Sequence, residues 1–477
     1  MSHRSIANGK QLLIQLSPDQ GALVNQLSLA FAAAGKDLFL VGGPVRDLLL
    51  GQEPTDLDFT TNALPSETRA IAEGIPGTSI FDIGEQFGTI GVVVPVGDHA
   101  IPVEITTYRS EQYLRGDRHP DVQFGDRLDV DLSRRDVTVN AIAINVATGE
   151  IIDPFYGRAD IEIATLRAVG NADDRFAEDP LRLLRVARFV SQLGFTIEGE
   201  TFAAMIRQAP QLEHISKERI YAELTKLLVG SYPAEGLQVL LDTGLLTEAM
   251  PELRPLADEA LSSPGIHREK DLWEHTKRVV AQSVPRATVR WAALLHDAAK
   301  PLTRSVDDRG EVHFYGHELA GARLAGRLLR NLKADKRTEK HVSRLVELHQ
   351  RPGVYDAATW TDSAVRRLAL EAGDTLTDLV DLAAADVTSG KAHKQRIARE
   401  RVEQLRAHIA RLEAEQALDE LQSPLDGTAL MQMFDRPPGR WIAEIKDHLR
   451  ELVIDGELAS DDVDTARAIA TRMIDRQ

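Results

Sequence analysis

Over the first third of the chain, apolar residues come in short runs separated by turns. The segments "LFLV", "LDFTT", "GTIGVVVPV", "IPVEITTY", "AIAINVA" and "EIIDPFYG", all within residues 1 to about 165, have the length and the branched or aromatic composition of strands. No later part of the sequence is β-rich. From about Asp173, apolar positions recur every three or four residues, as in "LRLLRVARFVSQLGF" and "RIYAELTKLLVGSYPAEGLQVLLDTGLL". That period predicts successive helices to the end of the chain. "MPELRPLADEALSSPGIHREKDLW" (250 to 273) is rich in Pro, Ser and charge and reads as a linker. Residues 393 to 421 predict a long charged helix with one packed stripe: Ile397, Val402, Leu405, Ile409 and Leu412. "RSEQYLRGDRHPDVQFGD" (109 to 126) reads as a surface loop, either plain or covering a site. The pattern as a whole predicts an α+β protein with a mixed sheet first and helices after it.

Length adds modularity to this picture, because 477 residues exceed what one core organises and suggest about three domains. With 43% hydrophobic and 27% charged residues, the composition is that of a globular protein. No apolar run approaches the roughly 20 residues that cross a bilayer. The N-terminus carries only a three-residue apolar patch, too short for a secretory signal, so a cytoplasmic location without membrane contact is expected. With no cysteine, disulfides and thiolate-bound zinc are excluded, and any metal must sit on carboxylates and imidazoles. A net charge of -17 argues against a general nucleic-acid coat. Local basic clusters remain: Arg182, Arg185 and Arg188; Lys217, Arg219 and Lys226; Lys391, Lys394, Arg396, Arg399 and Arg401. Each is a candidate RNA contact or a solvated face.

The densest chemistry lies in "LFLVGGPVRDLLLGQEPTDLDFTT" (38 to 61). Gly42 and Gly43 let backbone approach a ligand closely, and "PVRDLLLG" follows as a helix start whose amides suit phosphate. Pro44 fits the first turn, where its missing N–H costs nothing. Asp56 and Asp58, two apart on an expected strand, would share one face and suit hard cations such as Mg²⁺. Together they point to metal-assisted phosphoryl or nucleotidyl transfer; a surface turn is the bland alternative. Glu104, in "VEITTYR", is a possible third carboxylate or a solvated strand residue. Asp179 and Arg182, three apart on an expected helix, would pair with the donor and acceptor groups of C or A, or simply with each other. In the helical half, His275, His296-Asp297, His317, His349 and Asp386 form a second set. Burying His-Asp within "WAALLHDAAK" is costly unless the pair is bonded or metal-bound.

Read in order, these segments are similar to those of a known family. "GGPVRDLLLG" with "DLDFTT" resembles motif A of the class II nucleotidyltransferases, the family of bacterial CCA-adding enzymes and poly(A) polymerases. "RRDVTVNAIAIN" (134 to 145) resembles its motif B, and "DPFYGRADIEIATLRAVG" (153 to 170) its segment before the neck. "RFAEDPLRLLRVARF" (175 to 189) resembles motif D, and Tyr108-Arg109 a loop-positioning turn. The order His, His-Asp, His, His, Asp resembles the HD-superfamily metal-dependent phosphohydrolases. The resemblance implies a polymerase-β-like head (1–165), a helical neck with nucleotide-selecting and RNA-binding helices (166–250), an HD domain (251–400) and a C-terminal helical tail (401–477). It implies that Gly42, Gly43 and Arg46 meet the triphosphate, and that Asp56 and Asp58 hold Mg²⁺. Arg135, Asp136 and Asn140 are then expected on the sugar and phosphates, and Asp179 and Arg182 on the base with Arg185 nearby. It also implies a divalent metal on His275, His296, Asp297 and Asp386, with His317 and His349 adding a second ion.

The expected reaction is template-independent addition of CCA to the tRNA 3′ end from CTP and ATP. The Phe-Gly-Thr in "FDIGEQFGTIGVVV" is similar to the CCA-adding pattern, where poly(A) polymerases tend to carry Gly-Arg-Arg-Phe. The expected HD activity is hydrolysis of phosphate esters, including 2′,3′-cyclic phosphates and nucleotides. The alternatives are a poly(A), CC- or A-adding enzyme, an HD phosphohydrolase with an inactive head, and a non-catalytic RNA-binding protein.

Overall fold

The computed structural model describes residues 8–112, 121–258, 271–387, 392–414 and 422–475. Two compact units emerge, Met1–Leu227 with Glu235–Ala249, and Leu228–Ala234 with Met250–Gln477. The first is built on a mixed sheet, and the second, among the described residues, is helical apart from one short hairpin, Ser305–Val306 with Val312–His313.

In the first unit, strands β1 (Leu38–Val41), β2 (Asp58–Thr61), β3 (Ser79–Gly84), β4 (Thr89–Val96), β5 (His99–Thr107), β8 (Ala143–Asn145) and β9 (Ile151–Ile152) form a seven-stranded sheet. Its order is β3-β4-β5-β2-β1-β8-β9. β2 and β5 run parallel and the other neighbours antiparallel. The unbroken apolar run of β1 is explained by burial on both faces. Leu38 and Leu40 enter the main core with Phe59, Ile90, Val92 and Ile105, while Phe39 and Val41 pack with Tyr108, Leu132 and Ala143 on the other side. Helix Pro18–Ala33 covers the main core with Leu23, Val24, Leu27 and Phe31, and starts in a reciprocal Ser17–Gln20 cap.

Two parts of this sheet region differ from the expectation. β3 is an edge strand, and such a strand needs no uninterrupted apolar run, so its sequence carries little signal. Within the stretch expected to be a loop, Arg109–Gln112 (β6) and Asp121–Phe124 (β7) pair as a hairpin; residues 113–120 lie outside the described residues. Backbone pairing joins these two strands, which a polar composition does not announce.

In the second unit, the 250 to 273 stretch begins as packed structure. Pro251–Ala257 is a 3-10 helix that buries Leu253 and Leu256, and 259–270 lie outside the described residues. The long charged helix is Ala392–Ala414; it buries Val402, Leu405, Ile409 and Leu412 but leaves Ile397 exposed, and 415–421 are outside the described residues. The last helices, Gly427–Phe434, Arg440–Asp455 and Val463–Ile474, share a core of Leu430, Trp441, Ile445, Leu449, Ala466 and Ala470. Among the described residues, no helix is long and apolar enough to cross a membrane.

Candidate active site and metal centre

The Gly42 turn opens the first site. Gly42 has φ +81°, a left-handed conformation that favours glycine, and a Cβ there would lie 2.9 Å from Arg135 Nη1. Gly43 has no such constraint: a Cβ would meet Arg46 Nη2 at 3.6 Å, an ordinary contact. Helix Gly43–Leu49 follows, with Pro44 buried in its first turn.

Strand alternation places acidic groups opposite the core. Phe59 of β2 and Ile105 of β5 point into the core, so Asp58 and Glu104 occupy the other face. They are also direct register partners across the parallel pair. Although Asp58 is exposed as a residue, its carboxyl is pushed up to about 6. Desolvation by surrounding atoms comes first, Glu104 and then Asp56 add repulsion, and Arg135 opposes them. Asp56 lies in a bend before β2, not on it, so strand alternation does not set the direction of this aspartate. Its charge nevertheless reaches Asp58. Carboxylate oxygens are the donors a hard divalent cation takes, but Asp56, Asp58 and Glu104 do not bring theirs within 4.8 Å of one another in this structure.

A chain of polar side chains runs along the arginines. Arg46 Nη1 donates to Asn140 Oδ1 at 2.8 Å, and its Nε and Nη2 donate to Asp47 Oδ1 at 2.9 and 2.7 Å. Asn140 Nδ2 donates to Asp136 Oδ1 at 3.3 Å, and Arg185 Nε to Asp136 Oδ2 at 2.7 Å. Asp136 is buried with both oxygens engaged, which makes it a brace between segments and not an open ligand contact. Burial works against its charge, but Arg185 and the Val137 N–H overcome it and hold the carboxyl at about 2. Arg135 is held by Asp131 at 3.6 Å, and Arg134 by the same buried carboxylate at 2.8 Å. Asp131 was missed from sequence, though its spacing of three and four from those arginines is an ion-pair signal. Arg109 donates to the Phe87 carbonyl, tying β6 to the Phe-Gly-Thr segment.

Asp179 and Arg182 do not share a helix face. Helix Ala172–Glu178 stops at Asp179, which is extended (φ −142°, ψ 98°) ahead of Pro180, and a new helix runs Leu181–Leu193. A residue before proline is driven out of helical geometry, which breaks the assumed continuity. Asp179 accepts from Arg219 Nη2 at 2.9 Å. Arg182 is buried and donates to the carbonyls of Arg175 (3.0 Å) and Arg134 (2.8 Å) and to Glu178 Oε2 (2.7 Å). Arg188 is likewise buried against Glu223 at 3.1 Å. The expected basic strip of Arg182, Arg185 and Arg188 is therefore largely internal. Lys226, Arg396 and Arg399 are exposed, while Lys391 and the side chain of Lys394 lie outside the described residues.

In the second unit, all six expected metal ligands converge. Asp297 Oδ2 lies 3.2 Å from both His275 Nε2 and His296 Nε2, and Asp386 Oδ1 lies 3.3 Å from His275 Nε2. Asp297 Oδ1 faces His317 Nε2 at 3.5 Å and His349 Nε2 at 3.8 Å. Two buried three-residue sets thus share Asp297. Each of His296, His317 and His349 donates Nδ1–H to the carbonyl three residues earlier, Ala293, Phe314 and Val346, at 2.7 to 2.8 Å. That bond fixes the tautomer and leaves the Nε2 lone pair for a cation. Asp297 Oδ1 is buried with no hydrogen-bond partner, a costly state that a cation would relieve. The donor set therefore fits a divalent metal. Lys300 Nζ, 2.7 Å from Asp297 Oδ2, is a neighbour that its position three residues on would have suggested.

Comparison with known proteins follows the same division. Residues 38–167 match the "Poly A polymerase head domain", 194–256 the "Probable RNA and SrmB- binding site of polymerase A", and 270–391 the "HD domain". The chain is 42% identical over 266 residues to the CCA-adding enzyme of Geobacillus thermodenitrificans (strain NG80-2), which covers 55% of this chain and 59% of that protein. With the CCA-adding enzyme of Geobacillus sp. (strain WCH70) the identity is 32% over 429 residues, 89% of this chain and 90% of that one. Among solved structures, the Bacillus stearothermophilus CCA-adding enzyme in complex with CTP superposes with a TM-score of 0.67 at 28% identity, covering 96% of this chain and 99% of that chain. The Thermotoga maritima CCA-adding enzyme complexed with tRNA shares the fold, with a TM-score of 0.58 at 16% identity over 98% of this chain and 99% of that one.

Proposed function

Because the chain belongs to the CCA-adding enzyme family, we propose that it adds C, C and A to the 3′ end of tRNA from CTP and ATP without a nucleic-acid template, acting in the cytoplasm. The observation that carries the reading is the pairing of Asp58 with Glu104 across parallel strands, beside the Gly42 turn that backs on Arg135. Asp56 and Asp58, assisted by Glu104, would hold Mg²⁺. When bound, that ion offsets triphosphate charge and favours the ionised form of the attacking 3′ hydroxyl. Arg46, Arg135 and the Gly42-Gly43 backbone bind the phosphates. Asn140, which accepts from Arg46 and donates to Asp136, keeps the sugar side of the pocket in register. Asp179 accepts from the exocyclic amino group of C or A, exchanging its Arg219 partner, while Arg182 meets the base only after giving up carbonyl contacts.

The second unit carries a phosphohydrolase site that uses a divalent metal on His275, His296, Asp297 and Asp386, with His317 and His349 completing a second position. What supports this is the unpartnered Asp297 Oδ1 facing two imidazoles. The imidazole-rich, thiol-free donor set suits a first-row divalent ion. Its substrates are phosphate esters, including 2′,3′-cyclic phosphates and nucleotides.

The deciding experiment incubates the protein and Mg²⁺ with tRNA lacking its 3′ CCA, with CTP and ATP separately and together, at single-nucleotide resolution. Extension by two with CTP and by three with both is expected. Runaway growth with ATP would make it a poly(A) polymerase, and arrest at two with both a CC-adding enzyme. Absence of growth would leave the second unit as the active one.

A further inference from the structure

Three guanidinium groups surround one phenyl ring in the first unit. Arg46, Arg185 and Arg188 place their central carbons 5.8, 5.5 and 4.6 Å from the ring centroid of Phe189. Phe189 is 3% exposed and sits one helical turn beyond Arg185 on Leu181–Leu193. Like charges held this close repel. The effect registers at Arg188, whose pKa falls to about 10 through burial first and then the charge of Arg185, with Arg46 adding to it. Something must offset that repulsion before any nucleotide arrives. Asp136 does so for Arg185, Asp47 for Arg46 and Glu223 for Arg188. The ring is the one element common to all three, and the face of an aromatic ring is its negative region.

We infer that Phe189 is a positioning residue for nucleotide binding, its ring gathering Arg46 and Arg185 into a fixed anion cradle. This rests on the nucleotidyl-transfer reading above. Arg46 and Arg185 are joined twice, through the ring and through the side-chain chain Asn140–Asp136. The double tie sets their spacing, while N–H groups on both guanidiniums remain beyond those committed to these partners. A triphosphate then meets donors already ordered and loses less binding energy to ordering them. An aliphatic residue of similar bulk would fill the space but supply no negative face.

The test uses the full-length protein, tRNA lacking CCA, CTP and Mg²⁺, and compares wild type with Phe189→Leu and with 3,4,5-trifluorophenylalanine incorporated at position 189. The fluorinated ring keeps the shape and cancels much of the quadrupole, so it remains informative if the leucine variant folds poorly. For Phe189→Leu, KM and the calorimetric Kd for CTP should rise about tenfold, roughly 1.4 kcal/mol and within the cation–π range, with kcat changed less than about threefold. The fluorinated protein should show a smaller rise in the same direction. Unchanged KM and Kd in Phe189→Leu would overturn the inference. So would a fluorinated protein identical to wild type beside a weakened leucine variant, since the ring would then act by volume alone. Failure of the wild type itself to extend tRNA would refute the nucleotidyl-transfer reading instead, while the CTP titration still decides what Phe189 does.

Discussion

Asp136→Asn keeps the shape of the side chain and removes its charge. The carboxylate is 5% exposed, accepts from Arg185 at 2.7 Å, from the Val137 N–H at 2.8 Å and from Asn140 at 3.3 Å. Burial alone would raise its pKa, yet Arg185 and the hydrogen bonds hold it at about 2 against an ordinary 3.8. A carboxyl whose folded pKa lies below its unfolded value adds stability that is fully present above the unfolded value. That stability drains away as pH falls from about 4 to about 2. A gap of roughly two pH units is worth about 2 to 3 kcal/mol at neutral pH, reduced somewhat because Arg185 keeps part of its solvent contact. The substitution should therefore cost the first unit about 2 kcal/mol at pH 7 and almost nothing at pH 2. All four tryptophans, Trp273, Trp291, Trp360 and Trp441, belong to the second unit, so their fluorescence is an internal control. Amide exchange at the buried sheet residues Leu40 and Ile144 reports on the first unit. Protection there should fall about thirtyfold at pH 7 while the tryptophan unfolding transition in urea stays in place. Equal losses at pH 7 and pH 2, or no loss at pH 7, would refute the assignment of this stability to the Asp136 charge.

Asp58→Asn should abolish nucleotide addition without lowering the urea midpoint of the first unit, because the charge removed faces Glu104 and Asp56; a primer-extension gel with parallel unfolding curves checks both. Asp56→Ala should likewise abolish addition in that gel and leave folding intact. Gly42→Ala forces a methyl to within 2.9 Å of Arg135 at φ +81°, so it should cost about 1 to 2 kcal/mol and raise KM for CTP, measured by steady-state extension. His296→Ala should remove phosphohydrolase activity and bound metal, read by elemental analysis, and leave CCA addition in place. Adding a chelator to the wild type should lower the thermal midpoint seen by tryptophan fluorescence, since a cation bound only by the folded second unit stabilises it by mass action.

Much of the fold was legible because its signals are local. The short apolar runs of β1, β2 and β4, the alternation in β5 and the spacing of three and four after Asp173 announce strand or helix from neighbouring residues alone. β3 and the β6–β7 hairpin escaped because edge and hairpin strands are held by backbone pairing, which side-chain pattern hardly encodes. The histidine cluster was readable as a set through the order His, His-Asp, His, His, Asp, which resembles the HD superfamily; burial cost by itself singled out only His296-Asp297 in its apolar run. Glu104 looked equally like a solvated residue, since alternation says which face it takes but not which strand lies beside it.

Local pattern is enough for the order of most strands and helices and for the residue types available to metal and phosphate. Which of those residues are neighbours, and that position 42 rather than 43 needs glycine, follows from the folded chain. Pairing β2 with β5 put Glu104 beside Asp58, and the break at Pro180 parted Asp179 from Arg182. Packing turned Arg182 and Arg188 inward and tied Arg46, Asn140, Asp136 and Arg185 into one chain around Phe189. The reason is physical: a periodic pattern specifies a direction for each side chain, whereas register and crossing are set by the fit of surfaces distant in sequence, which no local pattern contains.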